Sequence, residues 1–379
     1  MQTNKSMRLL RKTTRVRAMK IAVAVVAIVL AAAFMFAALA HSYATPRIVS
    51  GDVGAEGNPP YSTARGMCTM EVTTGRVLYE KNAHARMPMA STTKIATAIT
   101  VIEHVADLDE IVKVNDKAIG IEGTSIYIQK GEELTVRELV YGLMLRSGND
   151  CSVALALHVS KTVPEFSALM NDMARRVGAI NTNFTNPHGL DEAEHYTTAY
   201  DLALISAYAM RDPVFAEIVA TKEKRISGVE YPRVLLNKNR LLRSNADIVG
   251  VKTGFTSKAG RCFVGGLRDS GMTVICAVLN CGPMFPESEM LMERATDEFY
   301  MHRVLATETI IAPTVPCECD PKAKRKCTEL RGMVEEDFHY PIRQCEVDKL
   351  QIKMDKDFIR VLFDGKEVHK TEYIKIDKD

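Results

Sequence analysis

The sequence predicts an α+β fold, in which helices pack on an antiparallel sheet and a small β-rich domain follows. Two observations predict it: strand pairs near both ends of the main region enclose a helical middle, and the pattern changes after residue 304. The 379 residues are 46% hydrophobic and 25% charged, which excludes a disordered chain. We divide the chain into an N-terminal segment (1–44), a Gly/Pro-rich linker (45–60), a main domain (61–304) and a C-terminal domain (305–379).

The N-terminal segment has the composition of an export signal. Seven Lys and Arg residues and no acidic residue occupy positions 1–20, and twenty apolar residues follow at 21–40. Small residues then provide two cleavage sites, before His41 and before Thr45. The segment is a cleaved signal peptide or, because twenty helical residues just span a bilayer, an uncleaved anchor. In both cases we expect the remainder to be exported, and to be secreted or held at the outer face of the cytoplasmic membrane.

The elements of the main domain follow from periodicity, turn residues and caps. A Gly-containing turn separates two strand-like segments, and Thr135 with Glu138 forms a T-x-x-E capping box ahead of a helix. The predicted elements are, in order, strands 64–72 and 77–80, a helix from Ala90, a helix after Thr135 that stops at 147–149, helices 153–159, 166–177 and 198–210, and strands 261–267 and 272–279. The two strand pairs predict one antiparallel sheet built from both ends of the domain.

The C-terminal domain begins where the pattern changes after about residue 304, and prolines break the pattern at 312–316. Residues 350–363, followed by the turn Asp364-Gly365, are interpreted as strand, turn and strand. We place the boundary to within about ten residues, since the linker before it is long.

Three short motifs occur in order along the main domain, and each occurs once. They are Ser91-Thr92-Thr93-Lys94, Ser147-Gly148-Asn149 and Lys252-Thr253-Gly254. An S-x-x-K match alone is weak, because ordinary residue usage produces about one in a chain of this length. Their combined weight comes from their positions at a helix start, a helix-helix turn and a strand.

The first motif is typical of an activated serine. Ser91 and Lys94 lie one helical turn apart and share a face. A serine hydroxyl needs a base to become nucleophilic, and Lys94 can be that base if burial, its own helix N-terminus and a second cation at Lys252 lower the pKa of its ammonium. The alternative is a capping serine beside a solvated lysine.

The other two motifs suit substrate contacts. In the turn, Gly148 is expected to let the backbone double back, so that Ser147 can pass a proton to a leaving amine and Asn149 can hold a substrate amide. On the strand, Lys252 and Thr253 are expected to bind a carboxylate, and Gly254 to leave room for the substrate backbone. The alternatives are a helix-helix turn with capping side chains and a solvated edge lysine.

The motifs and their surroundings resemble the serine D-alanyl-D-alanine carboxypeptidases among the low-molecular-mass penicillin-binding proteins, a peptidase S11-like family. The resemblance covers roughly residues 60–300 and includes the segments MASTTKIATA, SIYIQKGEELTVRELVYGLMLRSGND, NPHGLDEAEHYTTAYDLALIS and VGVKTGFTSKAGRCFVGGLRDSGMTVICAVL. It implies a β-lactamase/transpeptidase-like fold for the main domain. It also implies removal of the terminal D-alanine from peptidoglycan stem peptides, covalent inhibition by β-lactams and no cofactor.

The resemblance also assigns roles to matching residues. Ser91 becomes the acyl-enzyme nucleophile, Lys94 its proton acceptor and Ser147 the proton relay. Asn149 becomes a substrate contact, and Lys252, Thr253 and Gly254 form the carboxylate site. The backbone N–H groups of Ser91 and Phe255 form the oxyanion hole.

Two further readings remain open from the sequence. A class A β-lactamase shares the three motifs, but it needs a Glu-containing loop where this chain has NPHGL. We expect His188 and His195 to order this loop of the present chain. A β-lactam-binding or wall-binding protein without turnover is the non-enzyme alternative.

The nine cysteines are an odd number, so we expect at least one thiol without a partner inside the chain. Cys317, Cys319, Cys327 and Cys345 cluster in the C-terminal domain, where export favours disulfides and a zinc site is the alternative. Cys151, beside the second motif, is expected to be a small packed residue.

The charge balance argues against an anionic macromolecular partner. The whole chain has a formal charge of +2, but residues outside 1–20 hold 42 basic and 47 acidic groups. We therefore expect no nucleic-acid binding, and membrane attachment only through residues 21–40, because the polar end HKTEYIKIDKD does not form an amphipathic membrane helix.

Overall fold

The computed structural model describes residues 60–227, 232–307, 331–355 and 357–376. The predicted export segment, most of the linker, and Cys317, Cys319 and Cys327 lie outside these ranges. Within them, every helix is too short or too polar to cross a bilayer.

A five-stranded antiparallel sheet forms the centre of the main domain. Its strands, in spatial order, are β2 (Val77–Lys81), β1 (Gly66–Glu71), β9 (Met272–Leu279), β8 (Gly260–Asp269) and β7 (Ile248–Thr256). The first hairpin turns at Gly75, whose φ is 73°, and β1 then pairs with β9 from Gly66 opposite Leu279. The predicted sheet, built from both ends of the domain, is confirmed.

Helices cover both faces of this sheet. Eight described helices are α1 (Lys94–His104), α2 (Val136–Tyr141), α3 (Asn149–Val159), α4 (Val163–Val177), α5 (Ala199–Ala209), α6 (Pro213–Ala220), α7 (Leu241–Ser244) and α8 (Met284–Glu298). Along β9, Ile275 and Ala277 pack with the α1–α6 cluster, whereas Cys276 and Val278 pack with α8 on the opposite face. This alternation follows from the two-residue period of a strand. Both faces of the sheet are therefore buried.

Short strand pairs border the helical layer. They are β3 (Ile111–Lys113) with β4 (Glu133–Thr135), and β5 (Glu223–Ile226) with β6 (Arg233–Leu236). At the end of β4 the predicted capping box is present: Thr135 Oγ1 accepts from the Glu138 backbone N–H at 3.0 Å, and Glu138 Oε2 accepts from that of Thr135 at 3.0 Å. The box fixes the start of α2, which continues through a π-helical turn at Gly142–Arg146.

The C-terminal region is β-rich, as predicted. Its strands are β10 (Tyr300–Leu305), β11 (Gly332–Met333), β12 (Phe338–Ile342), β13 (Leu350–Met354), β14 (Phe358–Phe363), β15 (Lys366–Glu372) and β16 (Ile374–Lys375). The single strand expected over 350–363 was wrong, because Asp355 turns the chain by accepting the Phe358 amide at 2.9 Å. β10, which begins before residue 305, pairs with β12; the boundary itself stays a prediction.

A buried arginine joins this region to the central sheet. Arg76, in the β1–β2 turn, is 7% exposed, and its Nη2 donates to both oxygens of Glu346 at 2.9 and 3.0 Å. Its guanidinium also lies 4.2 Å from the ring centre of Phe363 and 5.2 Å from that of Tyr340. Charge pairing and cation–π contacts thus neutralise this cation inside the protein.

Candidate active site

The Ser91–Lys94 pair lies at the start of the central helix α1. Ser91 is in a 3-10 turn, Ala90–Thr93, and Lys94 is the first residue of α1. Lys94 Nζ lies 3.0 Å from Ser91 Oγ, within hydrogen-bond reach. The expected proximity of the two side chains is therefore present in the structure.

Lys94 is a buried cation held only by neutral oxygens. The side chain is fully buried, and its Nζ also contacts Asn149 Oδ1 at 2.7 Å and the His188 carbonyl at 2.6 Å. Burial lowers the pKa of Lys94 from 10.5 to about 7, the Lys238 ammonium acts in the same direction, and the Asp150 carboxylate opposes it. About half of the Lys94 side chains are then neutral amines at pH 7.

The second motif lies between the π-helical turn and α3. Ser147, rather than Gly148, adopts the left-handed conformation, with φ 66°, so the expectation for Gly148 was wrong. Gly148 is needed for space: a Cβ there would lie 2.7 Å from Asp150 Oδ1 and 2.8 Å from Cys151 Sγ. The turn directs Ser147 into the cleft that Ser91 lines.

Asn149 is engaged inside the protein. Its Oδ1 accepts from Lys94 Nζ, and its Nδ2 donates to the Glu122 carbonyl. Asp150 holds the segment after Glu122, because its carboxylate accepts from the Ser125 hydroxyl and from the Ile128 backbone N–H. Asn149 thus positions Lys94 against this segment, a contact that the motif alone did not predict.

The third motif lies on β7, beside the start of α1. A Cβ on Gly254 would lie 3.1 Å from the Ser91 amide nitrogen and 3.0 Å from that of Thr92. We expected Gly254 to leave room for the substrate backbone. In the structure, the neighbour that leaves no space for a side chain here is the backbone around Ser91. Thr253, Gly254 and Phe255 line the cleft, and Phe255 is 65% exposed.

Lys252 is not placed as we expected for a residue that binds a substrate carboxylate. It is buried, and its Nζ donates to the Thr253 carbonyl at 2.9 Å. Burial, followed by the charges of Lys94 and Lys238, lowers the pKa of Lys252 well below its ordinary value. Thr253 reaches the cleft and Lys252 supports it from behind.

The NPHGL loop supplies a contact that the sequence reasoning missed. The His188 carbonyl accepts from Lys94, and Gly189 is essential beside it, because a Cβ there would lie 2.0 Å from the Ala90 oxygen. His195 Nδ1 accepts from the Thr185 amide at 3.1 Å, while its Nε2 lies 2.8 Å from Thr93 Oγ1. The histidines therefore order the loop, as expected. The NPHGL motif was the signal in the sequence that could have indicated the contact with Lys94.

Burial keeps both loop histidines and the nearby thiol uncharged at neutral pH. It lowers the pKa of His188 and that of His195 to about 4. It also raises the pKa of Cys151 well above its usual value, and this thiol is packed against Gly142 and Gly148. Cys345 is exposed and forms no disulfide with another cysteine of the described residues.

These elements enclose a cleft of about 600 Å³. Ser91, Ser147 and Thr253 line it, together with basic residues that the motifs did not include: Arg146, Lys238, Arg240, Arg243 and Arg261. The cleft therefore places a serine, beside a lysine whose pKa is lowered, inside a positively charged surface.

Residues 54–282 match the family described as D-alanyl-D-alanine carboxypeptidase, peptidase S11. The chain belongs to this family. Among the relatives of this S11 chain, "D-alanyl-D-alanine carboxypeptidase DacF" of Bacillus subtilis is 34% identical over 220 residues, which are 57% of each chain. "D-alanyl-D-alanine carboxypeptidase DacC" of Escherichia coli is 34% identical over 248 residues, 62% of this chain and 61% of the relative. The S11 chain thus spans about three fifths of the length of these curated relatives.

A solved structure resembles this S11 chain over a greater length. Penicillin-binding protein 5 from Haemophilus influenzae superposes with a TM-score of 0.69 at 24% identity, covering 85% of this chain and 98% of that one. This likeness confirms the predicted transpeptidase-like fold.

Proposed function

We propose that this protein is a serine D-alanyl-D-alanine carboxypeptidase that removes the terminal D-alanine from peptidoglycan stem peptides. The observation that carries the proposal is the 3.0 Å contact between Ser91 Oγ and the buried Lys94 Nζ, whose pKa is lowered to about 7. Membership of the S11 family supports the reaction class. The proposed reaction needs no cofactor.

The proton that leaves Ser91 goes to Lys94. A neutral lysine has two N–H donors and one lone pair, whereas Asn149 Oδ1 and the His188 carbonyl can only accept. The two N–H groups therefore point at these oxygens, and the lone pair faces Ser91 Oγ. Ser91 then donates its proton to Lys94 as its oxygen attacks the carbonyl carbon of the penultimate D-alanine.

The charge that develops on that carbonyl oxygen is assigned to two backbone donors. These are the N–H groups of Ser91 and Phe255, two residues that line the cleft on either side of the contact between Gly254 and the Ser91 amide nitrogen. Backbone dipoles fixed before the reaction stabilise an oxyanion without reorganising. Gly254 contributes by allowing that contact.

The remaining motif residues are assigned to the leaving group and to orientation. Ser147 passes a proton to the departing amine of D-alanine, and Asn149 holds Lys94 and the edge of the substrate site. Thr253 meets the terminal carboxylate, and Lys252 positions Thr253 by donating to its carbonyl. Water then hydrolyses the Ser91 ester, and β-lactams acylate the same serine.

We also propose that the enzyme acts outside the cytoplasm. The basic block at 1–20 and the apolar run at 21–40 support export, either with a cleaved signal peptide or with an anchor. Labelling intact cells with a fluorescent penicillin and then fractionating them tests this: label on membranes supports an anchor, label in the medium supports cleavage, and label only after lysis contradicts export.

The reaction is tested with purified protein and Nα,Nε-diacetyl-L-Lys-D-Ala-D-Ala. The expected result is release of one D-alanine per peptide, together with a penicillin adduct that deacylates slowly and is absent in Ser91→Ala. Rapid penicillin turnover without D-alanine release would favour the β-lactamase alternative. A stable adduct without any peptide hydrolysis would favour a binding protein.

A further inference from the structure

We propose that the cleft selects peptides that carry at least one free carboxylate in addition to the C-terminal one. This inference rests on the proposed carboxypeptidase function and names the substrate class of the same site. A stem peptide with an acidic branch belongs to this class, whereas the same peptide with that branch amidated does not.

The first observation is the charge of the cleft lining. Five of the lining residues are cations and none is acidic: Arg146, Lys238, Arg240, Arg243 and Arg261. Among the described residues, none of the five forms an ion pair with a carboxylate, although fourteen other pairs are present there. The positive charge of the cleft is therefore not cancelled by its own walls.

The second observation is that neutral groups hold three of these cations in place. Lys238 Nζ donates to Thr124 Oγ1 at 3.3 Å, and Nη1 of Arg243 donates to the Asn237 carbonyl at 3.3 Å. On the other side, Nη1 of Arg261 donates to the Gly282 carbonyl at 3.0 Å. Such partners orient a side chain without neutralising it, so several N–H donors remain for an anion.

The charge exceeds what one carboxylate requires. The C-terminal carboxylate of any peptide substrate supplies a single negative charge, whereas five cations line the cleft together with Thr253. Like charges repel one another, and the repulsion is stronger near a protein surface than in bulk water. With only one anion bound, the cations still repel one another, and a second carboxylate relieves that repulsion.

The third observation is an apolar wall in the same cleft. Leu236, Phe255, Met284 and Phe285 line it, and Phe255 and Leu236 are 65% and 46% exposed. An apolar wall beside cations fits an aliphatic side chain that ends in a carboxylate. The geometry therefore favours an acidic branch on a peptide over a compact inorganic anion.

Two matched peptides test this inference. Both are Nα-acetyl-L-Lys-D-Ala-D-Ala, and the lysine Nε carries a succinyl group in one and a succinamoyl group in the other. They have nearly the same size and differ by one negative charge. We expect kcat/KM for D-alanine release to be about three- to tenfold higher for the succinyl peptide, and the difference to shrink at high salt.

The variant for this test is the double substitution Arg146→Gln and Arg243→Gln. Lys238 is left intact, because its charge also lowers the pKa of Lys94. The control is Lys117→Gln with Lys353→Gln, which removes two exposed charges outside the cleft lining. The ratio of the two rates is taken within each protein, so a change in the folded fraction cancels.

The arginine variant is expected to lose the preference, and the lysine variant to keep it. Equal rates on the two peptides in the unmodified protein would overturn this inference while leaving the carboxypeptidase proposal intact. A preference that survives in the arginine variant would also overturn it. If neither peptide released D-alanine, the proposed function and this inference would both be wrong.

Discussion

Two buried basic side chains, Lys94 and Arg76, show two ways in which the protein accommodates a positive charge in its interior. Arg76 is paired with the Glu346 carboxylate and surrounded by aromatic rings, whereas Lys94 contacts only neutral oxygens. Burying a charge is costly unless it is paired, and an unpaired group can avoid that cost by giving up its proton. The junction around Arg76 thus keeps a permanent charge for structure, and the reaction centre keeps a titratable one for chemistry.

The largest effect is expected from Lys94→Met. The acylation rate with penicillin should fall by about 10³-fold or more, because Lys94 is the base assigned to take the Ser91 proton. The unfolding free energy should change by less than about 2 kcal/mol, since removing a buried charge offsets the loss of donors to Asn149 and His188. Stopped-flow acylation and urea unfolding measure the two quantities. An active Lys94→Met protein would contradict the assigned base.

The opposite result is expected at the junction. Glu346→Gln leaves the Arg76 charge buried without its counter-charge, which should lower the unfolding free energy by about 3 kcal/mol. The acylation rate of the folded protein should stay unchanged, because Glu346 is not one of the residues that line the cleft. Urea unfolding of Asp172→Asn, in an exposed pair with Arg175, is the matched control and should change far less. A stability loss no larger than that control would remove the contrast between the two sites.

A smaller effect is expected when pH changes the stability of the protein through the loop that holds Lys94. Because burial lowers the pKa of His188 and His195 from 6.5 to about 4, the unfolded chain binds more protons than the native one between these values. Stability is therefore complete above about pH 6.5 and is lost as pH falls toward 4. Each histidine should cost up to about 2 kcal/mol between pH 7 and pH 5.

Urea unfolding at the two pH values measures this loss. His195→Gln should reduce the pH dependence, while the control His302→Gln, on β10, should leave it as it is. A pH dependence that is the same in all three proteins would show that the loop histidines are not held neutral.

Sequence reasoning predicted the sheet, the capping box and the residues of the three motifs, because these depend on local periodicity and fixed spacing. It did not predict how the motifs meet. The His188 carbonyl that accepts from Lys94 comes from 94 positions away, and Asn149 from 55. Such contacts depend on tertiary packing, about which a short motif carries no information.

The same limit explains the errors at single residues. Gly148 was expected to let the backbone double back, but Ser147 is the residue with the left-handed conformation, and Gly148 is required by the space that Cys151 and Asp150 occupy. The expected repulsion between Lys252 and Lys94 is present, since the charge of Lys94 lowers the pKa of Lys252, but Lys238, outside every motif, also lowers the pKa of Lys94. Charges brought together by folding can be read only from the structure.

The pH dependence of the acylation rate constant tests the central claim most directly. The second-order rate constant with a penicillin reports groups of the free enzyme. If neutral Lys94 is the base, this constant should rise about tenfold per pH unit below the apparent pKa and level off above a midpoint near pH 7. A rate constant that is flat from pH 5 to 9, or one that rises only near the ordinary lysine pKa of 10.5, would contradict the account.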